Sequence, residues 1–303
     1  MIYISHLIPD EEMKEIIEGT GAGIESIEFS VSENLDHFSE TLASYKKRLR
    51  FMGTEDIILH GPFLDLNPAA YDSEIQKVTF RRFSQCYQAA QELGAKKVVY
   101  HSCMYPEIYF TMGWAERVRD FIREFMETHK GITICMENVL DREWEPLVDA
   151  VKMVNHPDFQ LCFDIGHAHC YSPISVESWA RNLAPYVSHI HLHDNYGDRD
   201  AHNGLGDGNI PLKKIFKVLE LSKRKSLTER RGFGEDKAWI DRKFHTDGRT
   251  LHGKTDFTGG QTVTIECSSK EKIVQSYTLL QSCAASFMGD VPEGMKKIAQ
   301  KLR

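Results

Sequence analysis

"VSHIHLHD", residues 187–194, alternates imidazole and aliphatic side chains from His189 to His193. Residues two apart on a strand share a face, so Ile190 and Leu192 line one side while His189, His191 and His193 line the other. The aliphatic face suits packing against helices. The imidazole face needs an enclosed polar space instead, because three rings buried in hydrocarbon would be left without partners. A strand that is covered on both faces, one of them polar, fits a closed barrel better than a half-solvated sheet.

The same parity recurs along the chain. In "GITICMEN" (131–138), Ile132, Ile134 and Met136 form the outward face, and Thr133, Cys135 and Glu137 point in. In "LCFDIGH" (161–167), Leu161, Phe163 and Ile165 point out, with Cys162 and Asp164 in. "TVTIEC" (262–267) turns Val263, Ile265 and Cys267 out and Thr262, Thr264 and Glu266 in, while "DIILH" (56–60) and "KKVVYH" (96–101) end on inward His60 and His101. With "MIYIS" (1–5) and "GIESIEF" (23–29), this makes eight strands. Helix-like segments at 36–50, 73–93, 113–129, 145–154 and 174–183 lie between them. The reading is an α/β protein, a (β/α)8 TIM barrel, in one domain spanning 1–303.

Six successive strands then deliver His60, His101, Glu137, Asp164, His191 and Glu266 to one barrel mouth. Three carboxylates crowded there would repel strongly unless a cation joined them. Nitrogen and oxygen donors without cysteine suit Zn, Mn, Co or Mg. His189 lies a layer deeper and is expected to be structural. His193 sits above, bonding a loop carbonyl or a carboxylate behind the ligands. Cys135 and Cys162 are read as small apolar filling, and Glu28 as a partner for substrate, a backbone amide or an arginine. The glycines of "GLGDGNI" (204–210) lack the spacing and context of a nucleotide cradle.

Bulk properties narrow the class. A 303-residue chain with 41% apolar residues can bury a full core, and its net charge of −7 argues against nucleic acid as the main partner. Seven scattered cysteines without a CxxC pair, an N-terminus unlike a signal peptide and no long apolar window lead to the expectation of a reduced, cytoplasmic protein without a membrane span. Residues 222–260 break the rhythm with 10 Lys/Arg against 6 Asp/Glu. They read as a polar insertion between the seventh helix and the eighth strand. Emerging at the N-terminal face, this insertion is expected to be a mobile or oligomer-forming appendage, rather than a lid or a nucleic-acid clamp.

Taken in order, "LHGPF" (59–63), "VVYHS" (98–102), "CMEN" (135–138), "CFDIGHAH" (162–169), "HIHLHDN" (189–195), "DAHNGLGDGNI" (200–210) and "TIEC" (264–267) resemble the xylose-isomerase-like TIM-barrel superfamily. That superfamily includes sugar and sugar-phosphate isomerases and epimerases, and also endonuclease IV of AP endonuclease family 2. The resemblance to the isomerases implies one divalent metal on Glu137, Asp164, His191 and Glu266. Glu137 and Glu266 would be the acid/base pair that moves a proton through an enediolate, with His167 on a substrate oxygen and Arg199 as a substrate clamp. Asn138 would orient Glu137 or meet a substrate hydroxyl. Phe63, Tyr71, Tyr105 and Trp114 would cover a small sugar. The resemblance to endonuclease IV implies up to three zinc ions: the first on His60, His101 and Glu137, the second on the central four, and the third on His167, Asp200 and His202. The chemistry would then be phosphoester hydrolysis. The acidic charge and the absence of Arg-, Gln- and aromatic-rich wedge loops favour a carbohydrate substrate. A lyase or dehydratase, or a barrel that binds sugar without turnover, stays open beside these.

Overall fold

Eight parallel strands close on themselves in a computed structural model that describes residues 1–219 and 261–288. They are β1 (Ile2–Ser5), β2 (Gly23–Ser26), β3 (Ile57–His60), β4 (Lys97–His101), β5 (Thr133–Glu137), β6 (Phe159–Asp164), β7 (Val187–Leu192) and β8 (Thr262–Ile265). Each pairs with the next, and β8 pairs back onto β1 through Ile2–Val263, Tyr3–Thr264 and Ile4–Ile265. The architecture is the (β/α)8 barrel. The expected insertion at 222–260 falls outside the described residues.

The inward/outward alternation divides the buried apolar residues into two separate clusters. The large one lies between strands and helices and contains Ile134, Met136, Leu161, Phe163, Ile190, Leu192, Val263 and Ile265. The small one fills the barrel interior with Tyr3, Ile58, Val99, Cys135 and Cys162. Both cysteines therefore serve as the compact filling expected of them.

The helices follow their local signals. Ser73–Leu93 begins behind Asp72, whose carboxylate accepts from the Glu74 and Ile75 amides, and it ends at Gly94 in the left-handed conformation. Glu145–Val154 carries Pro146 in its first turn. One helix was not foreseen: Ile165–Tyr171 starts at the very end of β6. Asp164 is its cap, accepting from the His167 amide at 2.7 Å. The expected second strand also ends early, since Glu28–Ser30 is a 3-10 turn rather than strand.

Register sets the level of the polar side chains. His101 lies opposite Glu137 across β4–β5. Between β6 and β7 the pairing begins with Leu161 opposite Val187, then slips by one so that Asp164 meets His191. Without that irregularity Asp164 would face Ile190, whose side chain points out.

Candidate metal centre

At the C-terminal mouth, Glu137, Asp164, His191 and Glu266 are all buried. The His191 Nδ1 lies 3.2 Å from Glu137 Oε1, 3.2 Å from Glu266 Oε1 and 3.9 Å from Asp164 Oδ2. On its other side, the ring donates from Nε2 to Glu25 Oε1 at 3.0 Å. Asp164 is similarly divided, because Oδ1 caps the following helix and leaves Oδ2 facing the site. Glu137 Oε2, Asp164 Oδ2 and His191 Nδ1 are buried without any hydrogen-bond partner. Leaving buried polar atoms unpaired costs on the order of 1–3 kcal/mol each, so their convergence on one point is the signature of a bound cation. The donor set fits a divalent ion held by one nitrogen and carboxylate oxygens.

Two further groups flank this centre. The Nε2 atoms of His60 and His101 approach to 3.2 Å, and Glu137 Oε2 lies 3.4 and 3.6 Å from them. His60 donates from Nδ1 to the Gly61 carbonyl, which leaves Nε2 as a lone pair in the neutral ring. Burial pulls the pKa of His101 down to about 3, so it too is a neutral imidazole at pH 7. Glu137 consequently turns one oxygen to His191 and His167 and the other to His60 and His101.

On the opposite flank, Asp200 Oδ2 is 3.3 Å from His167 Nε2 and 3.2 Å from His202 Nε2. Burial alone would raise the Asp200 pKa, but the bonds from His167 and His202 hold it far below the carboxylate range. Burial opposes protonation of His202, yet its bond to Asp200 raises it to about 9. His193 joins this group. Its Nε2 is 3.2 Å from Asp164 Oδ1 and 3.7 Å from Asp200 Oδ1, its ring stacks on His202 at 4.0 Å, and neither nitrogen has a well-aligned partner. Room for that ring depends on Gly166, where a Cβ would fall 2.0 Å from the His193 ring.

The structure thus brings together the six strand-end donors with His167, Asp200 and His202. Other expectations need correction. Asn138 is not turned to a substrate: its amide donates to the Asp164 carbonyl and accepts from the Asp164 amide, both at 2.9 Å. It extends the β5–β6 ladder by one rung and so anchors Asp164. Trp114 is 0% exposed at the first turn of its helix and belongs to the apolar core, out of reach of any ligand in the mouth. Arg199 stands exposed on the loop after β7. Phe63 does reach the site, stacking on His101 at 4.2 Å, whereas Tyr71 stacks on Tyr109 beneath Arg117. Glu28 pairs with Arg48 at 2.7 Å.

Two participants escaped the sequence reading. Glu25, wholly buried on β2, bonds both His189 and His191. Its inward position was obscured by reading β2 as far as residue 29, which drew attention to Glu28 instead. His193 was set apart as a support, and only the close approach of Asp200 and His202 makes it part of a donor group.

Comparisons with known proteins agree with this geometry. The family model described as xylose isomerase-like TIM barrel matches residues 20–227. An uncharacterised protein of Methanocaldococcus jannaschii is 30% identical over 206 residues, covering 63% of this chain and 69% of its own length. A probable endonuclease 4 of Metamycoplasma arthritidis is 24% identical over 201 residues, covering 62% and 70%. Among solved structures, a D-tagatose 3-epimerase-like protein superposes with a TM-score of 0.67 at 20% identity, covering 100% of this chain and 99% of the other. A Thermus thermophilus protein soaked with ZnCl2 gives 0.63 at 21% identity, covering 96% and 99%.

Proposed function

This chain belongs to the xylose isomerase-like TIM-barrel family, and from that premise we propose that it is a divalent-metal-dependent sugar or sugar-phosphate isomerase or epimerase. The observation that carries the reading is the placement of Glu137 and Glu266. They come from β5 and the end of β8, yet each sets an oxygen 3.2 Å from the same His191 nitrogen. Proton transfer at a carbon next to a carbonyl needs two such carboxylates, one to remove a proton and one to return it elsewhere. A divalent ion held by Glu137, Asp164, His191 and Glu266 would polarise the carbonyl and a neighbouring hydroxyl and so acidify that C–H bond. Glu137 and Glu266 exchange the proton through an enediolate of the sugar. His167, bound by Asp200 on its far nitrogen, meets a substrate oxygen. Arg199, exposed at the rim, is free to swing onto a distal hydroxyl or phosphate.

One observation favours a second reading. Glu137 presents its two oxygens to two histidine groups, and Asp200 forms the hub of a third, which is the arrangement a multi-zinc phosphoester hydrolase of the endonuclease IV type would use. Metal counting combined with activity separates the two. About one ion per chain, together with deuterium wash-in from D2O at a ketose C–H bond that disappears in Glu266→Gln, supports the isomerase. Three tightly held zinc ions, cleavage of an oligonucleotide with an abasic site and no C–H exchange on any sugar tested would sink it.

A further inference from the structure

Below the mouth, the barrel interior contains a polar column that no part of the proposed reaction uses. It starts at Lys97, the first residue of β4, whose ammonium donates to the Thr262 hydroxyl at 2.8 Å and to the Ser188 carbonyl. Thr262 Oγ1 lies 2.6 Å from His189 Nδ1. His189 Nε2 is 2.9 Å from Glu25 Oε2, and Glu25 Oε1 is 3.0 Å from His191 Nε2. The Thr264 hydroxyl completes the shell of Glu25. Glu25 and both histidines are fully buried.

Each bond in this column has a forced direction. An ammonium only donates, so Thr262 must accept from Lys97 and is left to give its own proton to His189 Nδ1. That places the His189 proton on Nε2, where the carboxylate of Glu25 accepts it. A carboxylate only accepts, so His191 must also point an N–H at Glu25, from Nε2. The remaining nitrogen of His191 is Nδ1, the atom aimed at Glu137, Asp164 and Glu266. Neutral imidazole has one proton, and fixing it at Nε2 frees the lone pair at Nδ1.

We infer that Glu25 is the positioning residue of the central metal site, and that the chain Lys97–Thr262–His189–Glu25 fixes the proton of His191 on Nε2 so that Nδ1 is the ligand atom. The inference rests on the metal-site half of the proposed function and is independent of which reaction the site performs. Carboxylates that hold ligating histidines in this way typically change metal affinity by about 10–100-fold when removed.

The test uses the full-length chain labelled with 15N-histidine and titrated with ZnCl2 against a competing chelator, with long-range 1H–15N spectra recorded on apo and zinc-loaded protein. The expected spectra place zinc on His191 Nδ1 with the proton on Nε2, and show His189 protonated at Nε2 with or without zinc. Glu25→Gln, which preserves size, should weaken zinc binding at the central site by about 10–100-fold with a cooperative thermal transition retained. Zinc on His191 Nε2 would make Glu25 a ligand and overturn the assignment, as would a folded Glu25→Gln protein that binds zinc within threefold of wild type. If Glu25→Gln does not fold, Thr262→Val decides. It should shift the His189 proton toward Nδ1 and weaken zinc by a few-fold, and unchanged His189 shifts with unchanged affinity overturn the chain. Because these readouts are binding and protonation, a wrong assignment of the reaction would leave them unmoved.

Discussion

The lower and upper layers of one barrel interior are both buried, yet they treat polar groups in opposite ways. In the lower layer, Tyr3, Ile58, Val99, Cys135 and Cys162 pack together, and the polar groups beside them, Lys97, Thr262, His189 and Glu25, are bonded to one another. In the upper layer, Glu137, Asp164, His191, His193 and Asp200 all retain at least one buried atom without a partner. The lower layer is complete as it stands. The upper layer is a set of donors arranged for a guest, and the protein tolerates its cost because the guest supplies the missing contacts.

That contrast is easiest to break at Glu137, the donor shared between groups. Glu137→Ala should reduce metal affinity by at least about 100-fold and activity by on the order of 10³-fold. In chelated protein, however, the melting temperature should stay within about 2 °C of wild type, since the side chain removed was itself a poorly satisfied buried charge. Calorimetry with and without chelator measures both. A large loss of stability in the metal-free protein would mean that the upper layer holds the fold together and that the two layers do not differ in kind.

The reciprocal substitution lies one layer down. Ile58→Ala removes a wholly buried side chain from the inner cluster and should cost about 2–5 kcal/mol, read as a shift in denaturant midpoint. Metal affinity of the folded protein should remain within about threefold. Loss of metal binding in proportion to stability would show that the layers are mechanically coupled.

Much of this contrast could be read from the chain, and the reason is geometric. Strand parity needs only a period of two, so "GITICMEN", "LCFDIGH" and "SHIHLHD" revealed their inner faces without any knowledge of neighbours. Closure of the barrel then brought the inward strand ends to one mouth. Tertiary detail was hidden. That Asp164 faces His191 depends on a one-residue slip between β6 and β7, which leaves no local mark. Asn138 looked like a substrate ligand because it adjoins Glu137, whereas its amide is used on the backbone of the next strand. Trp114 has the composition of a sugar-binding wall, but its helix starts deep enough to bury it completely. Adjacency in sequence overstated the first residue, and residue type overstated the second.

Asp141 tests whether an unpaired buried atom marks function by itself. It sits on the loop after β5, with Oδ2 accepting from the Ser102 hydroxyl at 2.7 Å and the Val139 amide at 2.9 Å, while Oδ1 has no partner. Unlike the upper-layer donors, it belongs to none of the candidate ligand groups described above. Burial pushes its pKa up to about 6 in spite of those two bonds. The folded state therefore holds the proton more tightly than the unfolded chain, whose carboxyl titrates near ~3.9. The associated stability is present below about pH 4 and is lost as pH rises through about 6, leaving a poorly solvated charge at pH 8. Asp141→Asn keeps an oxygen for Ser102 and Val139 and puts its NH2 where the unpaired oxygen was. It should leave metal affinity unchanged and raise stability at pH 8 by on the order of 2 kcal/mol, roughly 5 °C in melting temperature, with the gain gone at pH 4. A pH-independent gain, or none, would remove the burial explanation. Loss of metal on this substitution would instead extend the upper layer to the β5 loop. An orphaned atom with no convergent neighbours is expected to register only as strain.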